Sequence, residues 1–535
     1  MALARTTSAV LVGVTAHLID VHVSQSPGLP HLTIVGLPDT SMNESPDRVR
    51  SAIVNSGFNW PQSKITVGLS PAGLPKRGPG LDVAIALGIL ASDGQIPLDA
   101  INRVVAIGEL SLDGRIHPVP GALAAGIEAV ARVNSRPPNS PRSAQLVCST
   151  VDRPLVELVP ELEVTAESTL RSLVSRLTGE PIDDESDLEL SGSPLVVTGD
   201  ESQAMSAGER KLGRLDLADV GGQELAKLAM EVAAVGGHHL ALMGRAGVGK
   251  TLLAERLPGI LPDLEVEQAL EVTSIHQLAG EDVRGLIVRP PWCAPHHTAS
   301  SVALVGGGSQ TKPQVGLVSL AHRGILFLDE AAEFESRVLD AMREPLENGR
   351  MSIARAGFRV TYPARFQLIL ATNPCPCGFA LDPDRPEKCR CTPLQRTRYA
   401  AKLSGPLLDR VDLRLVLKKP TLTQLRQAAT TANTSEQVRS KVAHARGLAC
   451  KRLLDSPWVS MSEVPASQMN QYWPLDRSVN NYLNRVTNSD SMRGRERVMR
   501  TMWTLADLAD SGVPNREHID LAMELRSTDL EWGSR

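Results

Sequence analysis

Short apolar runs separated by polar turns set the organisation of the chain. Over residues 1–175, the runs VLVGVTAHLIDVHV, LTIVGL, KITVGLS and RVVAIGEL read as strands, and LDVAIALGILAS and GALAAGIEAVARV read as helices. Strands and helices interleaved in this way predict an α/β or α+β domain over 1–178. The pattern breaks in GEPIDDESDLELSGSPLVVTGDESQAMSAGER, where nine carboxylates and one arginine stand between Gly179 and Arg210. Too few apolar residues remain there to offset the entropy of ordering, so a flexible acidic linker is expected over 179–214. A second α/β pattern starts at about Leu215 with a helix (QELAKLAMEVAAV), a strand (HLALM), a glycine-rich turn and another helix. Strands recur at GILFLDE and FQLILATN, closing a block expected over 215–420. Beyond Pro420 the spacing turns helical (TLTQLRQAATTA, SKVAHARGLACKRLL, RERVMRTMWTLADLAD), which predicts an α-helical domain over 421–535.

Composition narrows the class. At 535 residues the chain exceeds a single hydrophobic core. Its 42% hydrophobic and 22% charged residues are those of a soluble globular protein, and with 3% aromatics the cores must rest on Ala, Val, Leu and Ile. A net charge of −4 excludes a protein that coats nucleic acid over its whole surface, but not a local basic patch. The N-terminus is interrupted early by His17 and Asp20 and lacks a signal-like basic start and cleavage site. No window approaches the ~20 apolar residues of a membrane span. Seven cysteines, four of them clustered, fit a reducing cytoplasm better than a disulfide scaffold.

Candidate chemistry concentrates in HLALMGRAGVGKTLLAERL. Gly244, Gly249, Lys250 and Thr251 fit G-x-x-x-x-G-K-[ST] between a strand and a helix. In such a loop the backbone of Gly244, Arg245, Ala246, Gly247, Val248 and Gly249 closes around phosphate oxygens, Lys250 neutralises the β/γ charge, and the Thr251 hydroxyl ligates Mg²⁺. ATP and Mg²⁺ are the expected ligands. GILFLDE puts Asp329 and Glu330 at a strand end, where Asp329 can hold the Mg²⁺ water shell and Glu330 can polarise an attacking water. An acidic helix cap is the plain alternative for such a pair alone. FQLILATN delivers Asn373 to the same edge, where its amide can orient water beside the γ-phosphate.

Two further segments carry candidate sites. In CPCGFALDPDRPEKCRC, the pairs Cys375/Cys377 and Cys389/Cys391 can supply a tetrahedral sulfur set suited to structural Zn²⁺; four free thiols or a transient disulfide are the competing readings. Zinc would pin an insertion too rich in Pro and Asp to pack alone. GRMSIARAGFRVTYPARF reads as a hairpin turning near Ala356-Gly357, with Arg355 and Arg359 placed either to meet DNA phosphate or to stay solvated. RPPWCAPHHTASSVALVGGG is expected to be an insertion loop in which Cys293, His296 and His297 are packed or hydrogen-bonded rather than metal ligands.

The order P-loop, LFLDE, ATNPCPCG, SGPLLDRVDL resembles AAA+ ATPases of the magnesium-chelatase-like clade, and within it the YifB/ComM family, essentially from end to end. That resemblance implies a P-loop core with a C-terminal helical lid. It assigns Lys250 and Thr251 to Walker A, Asp329 and Glu330 to Walker B, and Asn373 to sensor 1. Arg410 becomes the arginine finger, with a surface ion pair to Asp409 or Asp412 as the structural alternative. Arg493 becomes the sensor 2 arginine, with Arg495 and Arg497 close by as competitors. Gly316-Leu317, where Gly-Glu is usual, and Leu228, where Arg is usual, depart from the family without touching the phosphates. The resemblance further implies a ring homo-oligomer, a hexamer by family habit, acting on DNA by branch migration or helicase activity. A chelatase-type subunit remodelling a protein partner is the alternative, and a non-hydrolysing ATP-binding scaffold is a third.

LSPAGLPKRGPGLDVAIALGILAS and GELSLDGRIHPVPGALAAG resemble Lon-type protease domains, which share the ribosomal S5 domain 2-like α+β fold and use a Ser–Lys dyad. Gly80 stands at the nucleophile position and Leu123 at the lysine position, so peptidase activity is not expected. Docking of a partner or of DNA is the role left open to this domain.

Overall fold

The computed structural model describes residues 3–36, 42, 44–74, 76, 78–135, 143–179, 215–281, 283, 285–308, 313–355, 358–380, 386–403, 405–431, 433–487 and 492–526. The expected acidic linker, from residue 180 to 214, lies outside them. The described chain forms two compact units: residues up to 179 with 269–286, and the remainder.

The first unit is built on a seven-stranded mixed sheet. Its strands lie in the order His31–Val35, Lys64–Ser70, Thr15–Ser26, Leu3–Val12, Val104–Ala106, Ala144–Ser149, Leu162–Glu167. The long N-terminal apolar run is a hairpin rather than one strand: Leu3–Val12 pairs antiparallel with Thr15–Ser26, and Gly13, at φ 68°, takes the left-handed turn position. Helix Asp82–Ser92 is buried at every residue, which is why its sequence is apolar on all sides. Gly88 allows its approach to the sheet, since a Cβ there would come 2.6 Å from Val23 Cγ2. Asp82, wholly buried, accepts a charged hydrogen bond from Arg48 Nε at 2.9 Å, so the charge is not left unpaired. Leu123 is fully buried with Val159 and Leu270, the last contributed by residues 269–286.

The second unit holds a five-stranded sheet, parallel throughout, in the order Trp292–Cys293, Ile325–Leu328, Gln367–Thr372, Leu240–Met243, Leu413–Val416. Its three central strands are buried on both faces, so they read as nearly unbroken apolar runs. Leu240, Leu242, Ile325 and Phe327 point into one core, and Ala241, Met243, Leu326 and Leu328 into the other. Two strands escape the hydrophobic pattern. Leu413–Val416 is interrupted by Arg414, which is buried and donates to the Leu408 carbonyl. Trp292–Cys293, inside the segment expected to be an insertion loop, is two residues long and is held by stacking of Trp292 on Phe327 with centroids 5.3 Å apart.

Beyond Pro420 the described elements are helices: Leu422–Thr431, Ser435–Leu453, Ala466–Tyr472, Arg477–Val486, Met492–Leu508 and Arg516–Glu524, with one 3-10 turn at Met461–Glu463. Ser435–Leu453 opens with a capping box between Thr434 and Gln437. His238 ties these helices to the sheet; wholly buried, it meets Asp412 Oδ2 at 3.0 Å through Nδ1 and Thr504 Oγ1 at 2.8 Å through Nε2. No helix among the described residues is long and apolar enough to cross a membrane.

Candidate functional site

Because the five strands run parallel, the residues that follow them gather at one edge of the sheet, where ligands of open α/β sheets bind. Met243 leads there into the glycine loop. The Gly244 N–H donates to the Thr372 carbonyl at 3.2 Å, and a Cβ on Gly244 would come 2.8 Å from Val248 Cγ1 and 3.1 Å from the Leu417 carbonyl oxygen. Gly247 and Gly249 take φ 75° and 102°, the left-handed region that side chains avoid. Arg245, Ala246 and Val248 are thus strung between glycines, and the loop ends as the N-cap of helix Lys250–Ala254.

Lys250 is the hub. Its Nζ donates to Gly244 O at 2.7 Å, Arg245 O at 3.1 Å and Asn373 Oδ1 at 3.0 Å. Burial lowers its pKa, while the Asp329 and Glu330 carboxylates pull the other way. The Thr251 hydroxyl donates to Asp329 Oδ2 at 2.7 Å, and Asp329 Oδ1 accepts the Glu330 N–H at 2.8 Å. Lys250, Thr251, Asp329 and Asn373, four residues from three segments of sequence, therefore meet at one point. Together they offer a cation, an amide and an oxygen pair for a phosphate-bound divalent ion.

Glu330 holds φ 49° and ψ 43°, a left-handed conformation that is costly for any residue with a Cβ. Strain of this kind fixes the direction in which a carboxylate leaves the backbone. His297 Nδ1 lies 3.6 Å from Glu330 Oε2, and its ring sits 4.1 Å from that of His296, whose Nδ1 is 2.9 Å from Thr298 Oγ1. The two histidines thus pack on each other, and His296 is hydrogen-bonded.

The four cysteines converge. All four sulfurs lie within 4.8 Å of one another, with Cys375–Cys377 at 3.4 Å, Cys377–Cys389 at 3.7 Å and Cys375–Cys389 at 3.9 Å. Tetrahedral ligands at a Zn–S distance of about 2.3 Å stand about 3.8 Å apart, so the donor set fits such an ion. The Phe379 N–H brings the Cys377 thiol down to about 6, and burial pushes Cys375 up to about 12. The cluster can hold a metal.

Arg410 and Arg493 lie elsewhere. Arg410 precedes strand Leu413–Val416, at the sheet edge opposite the glycine loop. It pairs with Glu347 and donates to the Pro406 carbonyl, rather than pairing with its sequence neighbours. Asp409 instead faces Arg493 at 3.4 Å and Arg497 at 3.5 Å, while Asp412 is occupied by His238. Arg493 therefore sits beside Arg410. The expected hairpin pairs Arg350–Arg355 with Phe358–Pro363; Met351, Ile353, Val360 and Tyr362 are buried on one face, and Arg359 is exposed on the other. The Ala356-Gly357 tip and the Arg355 side chain lie outside the described residues.

Sequence reasoning missed the Glu347 partner of Arg410 and the approach of His297 to Glu330. Both join distant segments, and no local spacing signals them.

Three family models match the chain: "Magnesium chelatase, subunit ChlI" over residues 216–425, "Subunit ChlI of Mg-chelatase" over 19–136, and "Magnesium chelatase, subunit ChlI C-terminal" over 432–526. The chain is similar to an uncharacterized protein of Mycobacterium tuberculosis, 40% identical over 536 residues and covering 99% of each. It is 37% identical over 521 residues to YifB of Escherichia coli, covering 97% of this chain and 96% of YifB. Identity to the competence protein ComM of Haemophilus influenzae is 35% over 534 residues, 98% of each.

Proposed function

The chain belongs to the YifB/ComM family of magnesium-chelatase-like AAA+ proteins, and from that premise we propose that it is an ATP-hydrolysing motor that assembles into a ring and works on DNA. The observation that carries this reading is the convergence of Lys250, Thr251, Asp329 and Asn373 at one sheet edge. The glycine-loop amides and Lys250 hold the β- and γ-phosphates. Thr251 and Asp329 would hold Mg²⁺, which would supply neutralisation of the charge that builds on the transferring group. Asn373 releases Lys250 to the phosphate and turns its amide to the attacking water, and Glu330 accepts the proton from that water.

The site is incomplete in one copy. Arg410 lies before Leu413, at the strand ends away from its own glycine loop, so it serves the γ-phosphate of a neighbour, with Arg493 beside it. Closing such a head-to-tail contact gives a ring, a hexamer in the family's habit. The exposed face of the hairpin carries Arg359, which, with Arg355 named from the sequence alone, offers a cationic contact to a DNA backbone inside that ring. Cys375, Cys377, Cys389 and Cys391 would hold zinc, which would supply a pin for the insertion, in keeping with a reducing cytoplasm. The N-terminal unit is a Lon-like domain without its dyad, since Gly80 and Leu123 offer neither hydroxyl nor amine, and it docks DNA or a partner.

ATPase rates with and without single-stranded and branched DNA, together with mass determination in ATP, test the proposal. DNA stimulation that is lost in an Arg355→Ala/Arg359→Ala variant supports it. Indifference to DNA with stimulation by a protein favours a chelatase-type remodelling subunit, the reading suggested by the matching family models.

A further inference from the structure

The turn that carries Cys375 and Cys377 runs beside the glycine loop. Cys375 follows Asn373 by two residues, and Asn373 is bonded to Lys250 at 3.0 Å. The chain then turns, with the Gly378 N–H donating to the Cys375 carbonyl at 2.9 Å, and Gly378 takes φ 82°. A Cβ on Gly378 would lie 3.8 Å from the amide nitrogen of Ala246, in the middle of the phosphate loop. The turn held by Cys375 and Cys377 is therefore the wall behind that loop.

We propose that the thiolates of Cys375, Cys377, Cys389 and Cys391 form a zinc site that is thermodynamically linked to nucleotide binding, because the turn they fix backs the phosphate loop at Ala246. The inference rests on the ATP-binding reading of that loop. Its physical basis is pre-organisation. Of the turn itself, Cys375 and Gly378 are buried and neither brings a large apolar side chain, so burial alone holds it weakly. Joining both thiol pairs to one ion fixes the Cys375–Gly378 turn, and the phosphate loop then has fewer conformations to lose when the ligand arrives. A coupling between two sites is reciprocal, so whatever factor zinc adds to nucleotide affinity, nucleotide must add to zinc affinity.

The test measures both arms of that cycle on the full chain. Binding of a fluorescent ATP analogue with Mg²⁺ is titrated on zinc-loaded protein and on protein stripped by a chelator under reducing conditions. Zinc affinity is measured by competition with a chromophoric chelator, with and without the analogue. We expect one zinc per chain, about tenfold weaker nucleotide binding after stripping, and an equal tightening of zinc by nucleotide. A Gly378→Val variant guards against simple unfolding, because it keeps all four thiols; it strains the left-handed turn behind Ala246, so it should still hold one zinc per chain while binding nucleotide more weakly. Absence of zinc binding by the reduced protein overturns the inference. So do equal nucleotide affinities with and without zinc, or a Gly378→Val variant with unchanged nucleotide affinity. Zinc-loaded protein that binds no nucleotide at all, like a Lys250→Ala control, sinks the ATP-binding reading instead.

Discussion

Lys250 and Arg410 stand at opposite edges of the same parallel sheet. Met243, which leads to Lys250, pairs with Val416 at one end, and Leu240 pairs with Leu413, just after Arg410, at the other. The four-residue strands alone separate these edges by roughly 13 Å. On the proposed reading, the Lys250 and Arg410 of one copy serve different phosphates.

Two inactive variants should accordingly repair each other. Arg410→Ala is expected to lower the ATPase rate by about 10³-fold or more, the usual weight of an arginine finger. Lys250→Ala is expected to abolish nucleotide binding. Mixed in equal amounts, the two should recover part of the activity, because some seams then pair an intact Lys250 with an intact Arg410. A mixture as inactive as its components, measured by phosphate release, would show that the finger does not act across a seam.

Glu330 predicts opposite effects on stability and turnover. Its left-handed backbone costs about 1–2 kcal/mol, and glycine there relieves that cost against about 0.5–1 kcal/mol of added chain entropy. Glu330→Gly should raise the Tm by about 2 °C while lowering hydrolysis by 10²-fold or more. Glu330→Gln should lose hydrolysis alike, without the thermal gain. Calorimetry and steady-state rates separate the two.

These relationships also mark how far the sequence could be read. The glycine loop was legible because backbone conformation, phosphate and strand–loop–helix context impose residue types at fixed spacing. The strands at Leu240, Ile325 and Gln367 were legible because burial on both faces demands continuous apolar side chains. Leu413–Val416 was not, because Arg414 satisfies its charge locally and breaks the run. The pairing of Arg410 with Glu347, the wall that Gly378 forms behind Ala246 and the left-handed turn at Glu330 come from tertiary placement. No local period encodes them.

Acid should loosen the second unit in two windows. Burial holds the His239 imidazole down to about 4, against an upward pull from Asp412, and its Nδ1 accepts the Leu368 N–H at 3.0 Å. From pH 6.5 down to 4 the unfolded chain binds a proton there that the folded chain refuses, so stability falls with pH across that range and levels off below it. Asp412 adds a lower window. Burial raises its carboxyl, but the His238 hydrogen bond and the charges of His238 and Arg500 bring it to about 2. Its contribution is intact above about 3.8 and is lost as pH falls through 2. Melts of wild type should decline from pH 7 to 4, and His239→Gln should remove up to about 1.4 kcal/mol per pH unit of that slope.

In the first unit the pH dependence has the reverse sign. Asp152 is 4% exposed, its Oδ2 has no hydrogen-bond partner, and burial pushes its carboxyl to about 7 against the hydrogen bond from the Val119 backbone. Between 3.8 and 7 the folded chain keeps a proton that the unfolded chain has released, so stability falls as pH rises through that window. Asp152→Asn cannot ionise. Any cost of burying its amide is the same at every pH, so the difference between its effects at pH 8 and pH 4 isolates the ionisation. The substitution should raise the melting temperature of this unit by several degrees more at pH 8 than at pH 4. Equal shifts at the two pH values would mean that the carboxylate reaches solvent or a cation when it ionises.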